Sequence, residues 1–253
     1  MGELIDWSIM GPALAAGLLV LSTHVPLGQE VLRRGIIFID LAIAQIAGLG
    51  VIAAHGLDWE QDGFEVQIAA VSAALLAAAI LNWTEKRWPK TQEALIGIFF
   101  ILAATGGILL LANNPHGSEH LKELLVGQIL WSTWTSLAPI AVLYAALLVV
   151  WFMWRERIGA LGFYVTFAIA VTASVQIVGI YLVFASLIIP AVATSRLRRG
   201  NRLSVSYAIG AVGFIAGIIL SLAFDLPTGA IVVWAMAAVA LIAGFSLSEA
   251  RAK

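Results

Sequence analysis

Residues 161–193 read LGFYVTFAIAVTASVQIVGIYLVFASLIIPAVA, thirty-three consecutive positions without Asp, Glu, Lys or Arg. As one helix at ~1.5 Å per residue they would reach ~50 Å, against a hydrocarbon core of ~30 Å. The flanks decide between one tilted helix and two short ones. Arg155 and Arg157 precede the stretch, and Arg196, Arg198, Arg199 and Arg202 follow it. Lys and Arg gather in cytoplasmic loops, so both flanks belong inside and the stretch crosses an even number of times. Two short spans turning near Gln176–Gly179 are predicted.

Further apolar runs of spanning length lie at 9–27, 36–54, 66–81, 95–111, 137–154, 203–224 and 229–247. Thirteen of the fourteen Lys and Arg residues then fall on one side, with Lys122 the exception, while the loop from His55 to Glu65 on the other side is acidic. The expected topology has nine crossings, the N-terminus outside and the C-terminus cytoplasmic. The acidic start, with Glu3 and Asp6, lacks the cationic region of a cleavable signal, so the first run is read as a retained span. Of the 253 residues, 61% are hydrophobic and 11% charged, a composition that excludes a soluble enzyme. The fold class expected is all-α: a single polytopic transmembrane bundle of about 8–9 spans over residues 1–253. Its lipid-facing helices would associate through small residues such as those at Gly106-Gly107 and between Gly210 and Gly217.

The chemistry is sparse. Cysteine is absent, which excludes disulfides and thiolate metal sites. No Gly-Lys pair exists, so there is no phosphate-binding loop, and any ATP that drives this protein binds to another chain. A net charge of −1 with no basic stripe gives no reason to expect nucleic acid as a partner. Among the acidic residues only Asp40, in GIIFIDLAIAQ, falls well inside an apolar run. A charge there costs about 2.5–3.5 kcal/mol on insertion scales, so it faces a bundle interior or a watery path. Pairing with a nearby base such as Arg34 is its plainer reading. Gln45 lies some 140° around an ideal helix from Asp40, and the two converge only if the helix is irregular. His116 and His120 have i, i+4 spacing on the outer side, a helical metal-pair pattern set against Pro115 and Gly117, which favour a loop. The stretch LKELLVGQIL at 121–130 is amphipathic and reads as an interfacial or re-entrant helix.

Several segments together resemble the permease family of bacterial zinc and manganese ABC importers. They are Pro26-Leu27-Gly28 with Arg33, Phe38 and Asp40; QEALIGI at 92–98; LLVGQIL at 124–130; VGIYLVFASLIIPA at 178–191; and DLPTGA at 225–230. The resemblance implies a type II ABC-importer-like permease in the bacterial inner (plasma) membrane. It would work as a homodimer with a cytoplasmic ATP-binding subunit and an extracytoplasmic metal-binding protein. No cofactor would be held permanently, and the cargo would be a divalent transition metal, zinc or manganese. By position, Asp40 matches the family's intramembrane aspartate, with Gln45 the accompanying candidate ligand. Pro190, Thr194, Ser195, Arg196, Arg198, Arg199, Gly200 and Arg202 match the arm that meets the ATPase.

Two departures stand out. The family's His four residues after the aspartate is Ala44 here, and the segment from Arg155 to Leu161 is short. Losing an imidazole moves the expected preference from zinc toward manganese or a weak transit site. The rival reading is a stand-alone ion-coupled transporter or channel in which Asp40 titrates.

Overall fold

A computed structural model describes residues 7–55, 63–112, 114 and 117–252. These form α1 (Trp7–Arg34), α2 (Ile39–His55), α3 (Phe64–Arg87), α4 (Gln92–Leu111), α5 (Gly117–Val126), α6 (Trp134–Ala193), α7 (Arg199–Phe224) and α8 (Thr228–Ala252). Single 3₁₀ turns at Pro89–Thr91 and Ile129–Trp131 precede α4 and α6. No strand occurs among the described residues. Among the described residues six helical stretches are long and apolar enough to cross a membrane, and two shorter apolar ones, Ile39–Ala54 and Thr228–Gly244, accompany them.

The sixty-residue α6 is three limbs rather than one rod, because Gly159 (φ 61°) and Gly179 (φ 77°) leave helical geometry. The first limb, 134–158, starts with a capping box in which Thr133 Oγ1 accepts the Ser136 N–H. The second limb begins among basic-end residues, with the Arg34 guanidinium 4.4 Å above the Phe163 ring. It climbs to Gln176, which bonds Gln67 near the opposite end of α3. After Gly179 the chain reverses. Phe184 stacks on Phe38 at 6.4 Å, and Thr194 reaches Gln29 near the arginine end of α1. Residues 180–193 therefore descend beside α1 as residues 160–178 ascend. The uncharged run is two short helices with a turn at Gly179.

Position in the bundle follows from packing. In the most apolar part of Arg157–Ala193, 67% of residues are buried, against 22% in that of Pro89–Leu111 and of Trp134–Trp154, so the hairpin is the centre and α4 and the first limb the flanks. Without a hydrophobic drive inside lipid, close approach decides association. Phe163, Phe167, Leu182 and Leu187 fill the interior between α1 and α2. On α7, a Cβ at Gly213 would fall 2.8 Å from Met236 and one at Gly217 2.4 Å from Val232, so α8 seats directly on glycine backbone. Pro26 lacks an N–H, which frees the Ser22 carbonyl four residues earlier, and the Tyr207 hydroxyl of α7 donates to that oxygen at 2.9 Å.

Candidate functional site

The chain leaves α1 through Gly35, whose positive φ of 70° lets its N–H return to the Val31 carbonyl at 3.1 Å, as a left-handed C-cap does. Four residues later α2 begins, and Asp40 is its second residue. Sequence reading set Asp40 deep in a run; the structure sets it in the first turn of α2, toward the arginine-rich end. The apolar residues 36–38 belong to the turn before the helix, which is why the run looked longer than the span. Asp40 is 1% exposed and faces the bundle interior. Neither carboxylate oxygen has a hydrogen-bond partner among the described residues. The amides of Asp40 and Leu41 lie beside it without completing a bond. Gln45, a turn and a half along α2, is half-buried.

The expected partner is engaged elsewhere. Arg34 Nε donates to Glu30 at 2.9 Å and Nη1 to Glu85 at 3.4 Å, and Arg33 also grips Glu30, through Nε at 2.8 Å and through Nη2. Pairing with Arg34 therefore does not account for Asp40.

The basic turn sits on the same end. Pro190 ends the third limb with a carbonyl that serves two hydroxyls, accepting from Thr194 Oγ1 at 2.8 Å and Ser206 Oγ at 3.1 Å. Gln29 Nε2 donates to both hydroxyls at 3.0 Å, so α1, α6 and α7 meet in one buried knot. Arg202 closes the turn by donating to the Leu197 and Ser195 carbonyls. Arg196, Arg198 and Gly200 are exposed beyond it, Ser195 is half-buried, and Arg199 opens α7. Gln29 and Ser206 escaped sequence reading because each sits in an ordinary apolar helix and acquires its role only through tertiary register.

At the far end α5 descends from Gly117 to Val126 and meets the hairpin. A Cβ on Gly127 would lie 2.2 Å from the Val178 carbonyl carbon, and one on Gly229 2.2 Å from the Val126 oxygen, so three main chains touch. Beside this junction lies a cavity of about 1290 Å³. Its polar lining includes Gln67, Glu123, Gln128, Ser136, Thr172 and Gln176. Gln67 and Gln176 exchange two hydrogen bonds of 2.7 and 2.9 Å at its wall. His120 lies on α5. His116 and most of the acidic 55–65 loop lie outside the described residues. No group of three His, Cys, Asp or Glu poised to hold a metal occurs among the described residues.

A multi-pass helical bundle with a broken central hairpin and a basic turn at one end is the architecture of a transport permease. The model of the ABC 3 transport family matches residues 6–161 and 157–246, and this chain belongs to that family. It is 27% identical over 254 residues to the manganese transport system membrane protein MntC of Halalkalibacterium halodurans, covering 91% of this chain and 85% of that one. It is 25% identical to the high-affinity zinc uptake system membrane protein ZnuB of Haemophilus influenzae, over 90% and 93% of the two chains. Among solved structures, PsaBC from Streptococcus pneumoniae in complex with Fab superposes with a TM-score of 0.76 at 22% identity, covering 96% of this chain and 94% of that one.

Proposed function

We propose that this chain is the permease subunit of a bacterial importer of a divalent transition metal, manganese or zinc. Two copies work in the inner membrane with a cytoplasmic ATP-binding subunit and an extracytoplasmic metal-binding protein. The observation that carries the reading is the knot at Pro190, Thr194, Ser206 and Gln29. It joins the exposed cationic turn to α1, the helix that leads into Asp40, so movement imposed on the turn reaches the interior. The turn from Pro190 to Arg202 docks the ATPase, and Arg196 and Arg198 present the charge that a partner's acidic surface would meet.

The arginine-rich end is cytoplasmic under this reading, with the N-terminus outside and the C-terminus inside. Metal enters from the end that carries α5, and Asp40, buried and without a hydrogen-bond partner, is the transit ligand. A transit site must release as readily as it binds, so one carboxylate suits passage better than a closed cage. Manganese uptake in cells carrying the whole system tests the reading. Asp40→Ala is expected to abolish it while the variant still co-purifies with the ATPase, and unchanged uptake would remove Asp40 from the path. Arg198→Cys in this cysteine-free chain is expected to react with a membrane-impermeant thiol reagent only from the cytoplasmic face.

A further inference from the structure

Six buried side-chain polar atoms lack a hydrogen-bond partner among the described residues, and five belong to residues of α2, α3 and α4. They are both carboxylate oxygens of Asp40, Oε2 of Glu93, Oε1 of Gln92 and Oδ1 of Asn82. Packing brings them together. Gly50 of α2 touches Ala69, Ala70 and Ala73, and the two helices run antiparallel, so ten residues back along α2 Asp40 comes level with residues near 81 on α3. Gln92 Nε2 donates to the Leu81 carbonyl at 2.9 Å, which ties the start of α4 to that level. Glu93 Oε1 accepts the Phe38 N–H at 3.1 Å, two residues before Asp40, and the two carboxylates are close enough for their charges to interact.

All five atoms are acceptors. Such a group left unpaired in a low-dielectric interior costs about 1–3 kcal/mol, and more when charged, so a bound cation among these acceptors would offset that cost. Arg34 is committed to Glu30 and Glu85. Both carboxylates sit in the first turns of their helices. Two carboxylates and two carboxamides, with neither imidazole nor thiolate, form the donor set of a hard, oxygen-preferring divalent cation.

We propose that Glu93, with the side-chain oxygens of Gln92 and Asn82, completes a cation site at Asp40 that holds a hard divalent ion such as Mn²⁺ through oxygen atoms alone. This rests on the reading that the transported cation passes Asp40, and adds that three residues of α3 and α4 share its coordination. Glu93→Gln is the informative variant. Its amide oxygen can still accept the Phe38 N–H, so α2 stays seated while one ligand charge is lost.

The test titrates Mn²⁺ into the full chain in nanodiscs with its partner subunits, read by the loss of the free-ion electron paramagnetic resonance signal. A Mn²⁺-dependent rise in Tm serves as a second readout of the same binding. Wild type is expected to bind, and Glu93→Gln and Asp40→Asn each to weaken binding by about tenfold or more, since affinity at oxygen sites follows ligand charge. Wild-type binding in Glu93→Gln beside loss in Asp40→Asn would overturn the shared site and leave the transport reading standing. Loss in Glu93→Ala with full binding in Glu93→Gln would reduce Glu93 to seating α2, and also overturn it. Wild-type affinity in both the Asp40 and the Glu93 variants would remove the site and the role of Asp40 together.

Discussion

The two ends of the bundle are held by different means. At the arginine-rich end one main-chain contact, Gly28 against the Leu187 carbonyl, is reinforced by side chains: Glu30 with Arg33 and Arg34, and Gln29 with the hydroxyls of Thr194 and Ser206. At the other end main chain rests on main chain at Gly127, Gly179 and Gly229, next to a cavity of about 1290 Å³. Side-chain bonds bend and reform as their elements shift by a fraction of an ångström. A backbone contact keeps a fixed geometry until it parts. Under the proposed function, a permease driven from the side of the basic turn would have a seat rich in side-chain bonds where force arrives and a seat of main-chain contacts beside the cavity.

Glycine substitution tests this difference most sharply. Gly179→Ala puts a Cβ 2.3 Å from the Gly127 nitrogen at a positive φ, and strain plus overpacking are expected to cost at least about 3 kcal/mol. Gly35→Ala, at the arginine-rich end, has a similar φ but nothing within 4 Å of the new Cβ, and should cost only about 1–2 kcal/mol. Thermal unfolding in detergent compares them, and equal losses would end the distinction. Thr194→Val comes next. It takes one acceptor from Gln29 and one donor from the Pro190 carbonyl, with about 1–2 kcal/mol lost. In the assembled system it is expected to lower metal uptake per ATP hydrolysed, whereas loss of folding alone would lower both together. The smallest effect belongs to Gln67→Leu, which breaks an exposed amide pair at the cavity wall. Stability should change by less than about 1 kcal/mol. A Thr172→Cys reporter lining the cavity should nevertheless react faster with a water-soluble thiol reagent once the pair is gone.

Much of the architecture could be read from where the charges stop. The uncharged 161–193 run, flanked by arginines on both sides, required an even number of crossings, and the hairpin at Gly179 meets that requirement. The glycines of α7 read as packing surface, and α8 lies against them. LKELLVGQIL read as interfacial or re-entrant, and its first six residues complete α5, whose end at Val126 abuts the hairpin. The depth of Asp40 could not be read. It depends on where α2 starts, and that is set by the left-handed Gly35 and the turn after it rather than by hydropathy. Gln92 and Glu93 showed only as part of a family-like segment, without a role at Asp40, and Asn82 carried no signal of its own. The shared site proposed for them depends on the register in which α2, α3 and α4 pack, which a linear pattern does not encode.

The third limb of α6 joins the two ends directly. Residues 180–193 are a buried helix of about 21 Å, with the Gly179 turn at the top and the Pro190–Thr194 knot at the foot. A push on the arginine turn thus needs no relay of loosely packed neighbours to arrive at the cavity floor. Under the proposed coupling the limb would act as a piston rod, with its head at the Gly179 turn that α5 abuts.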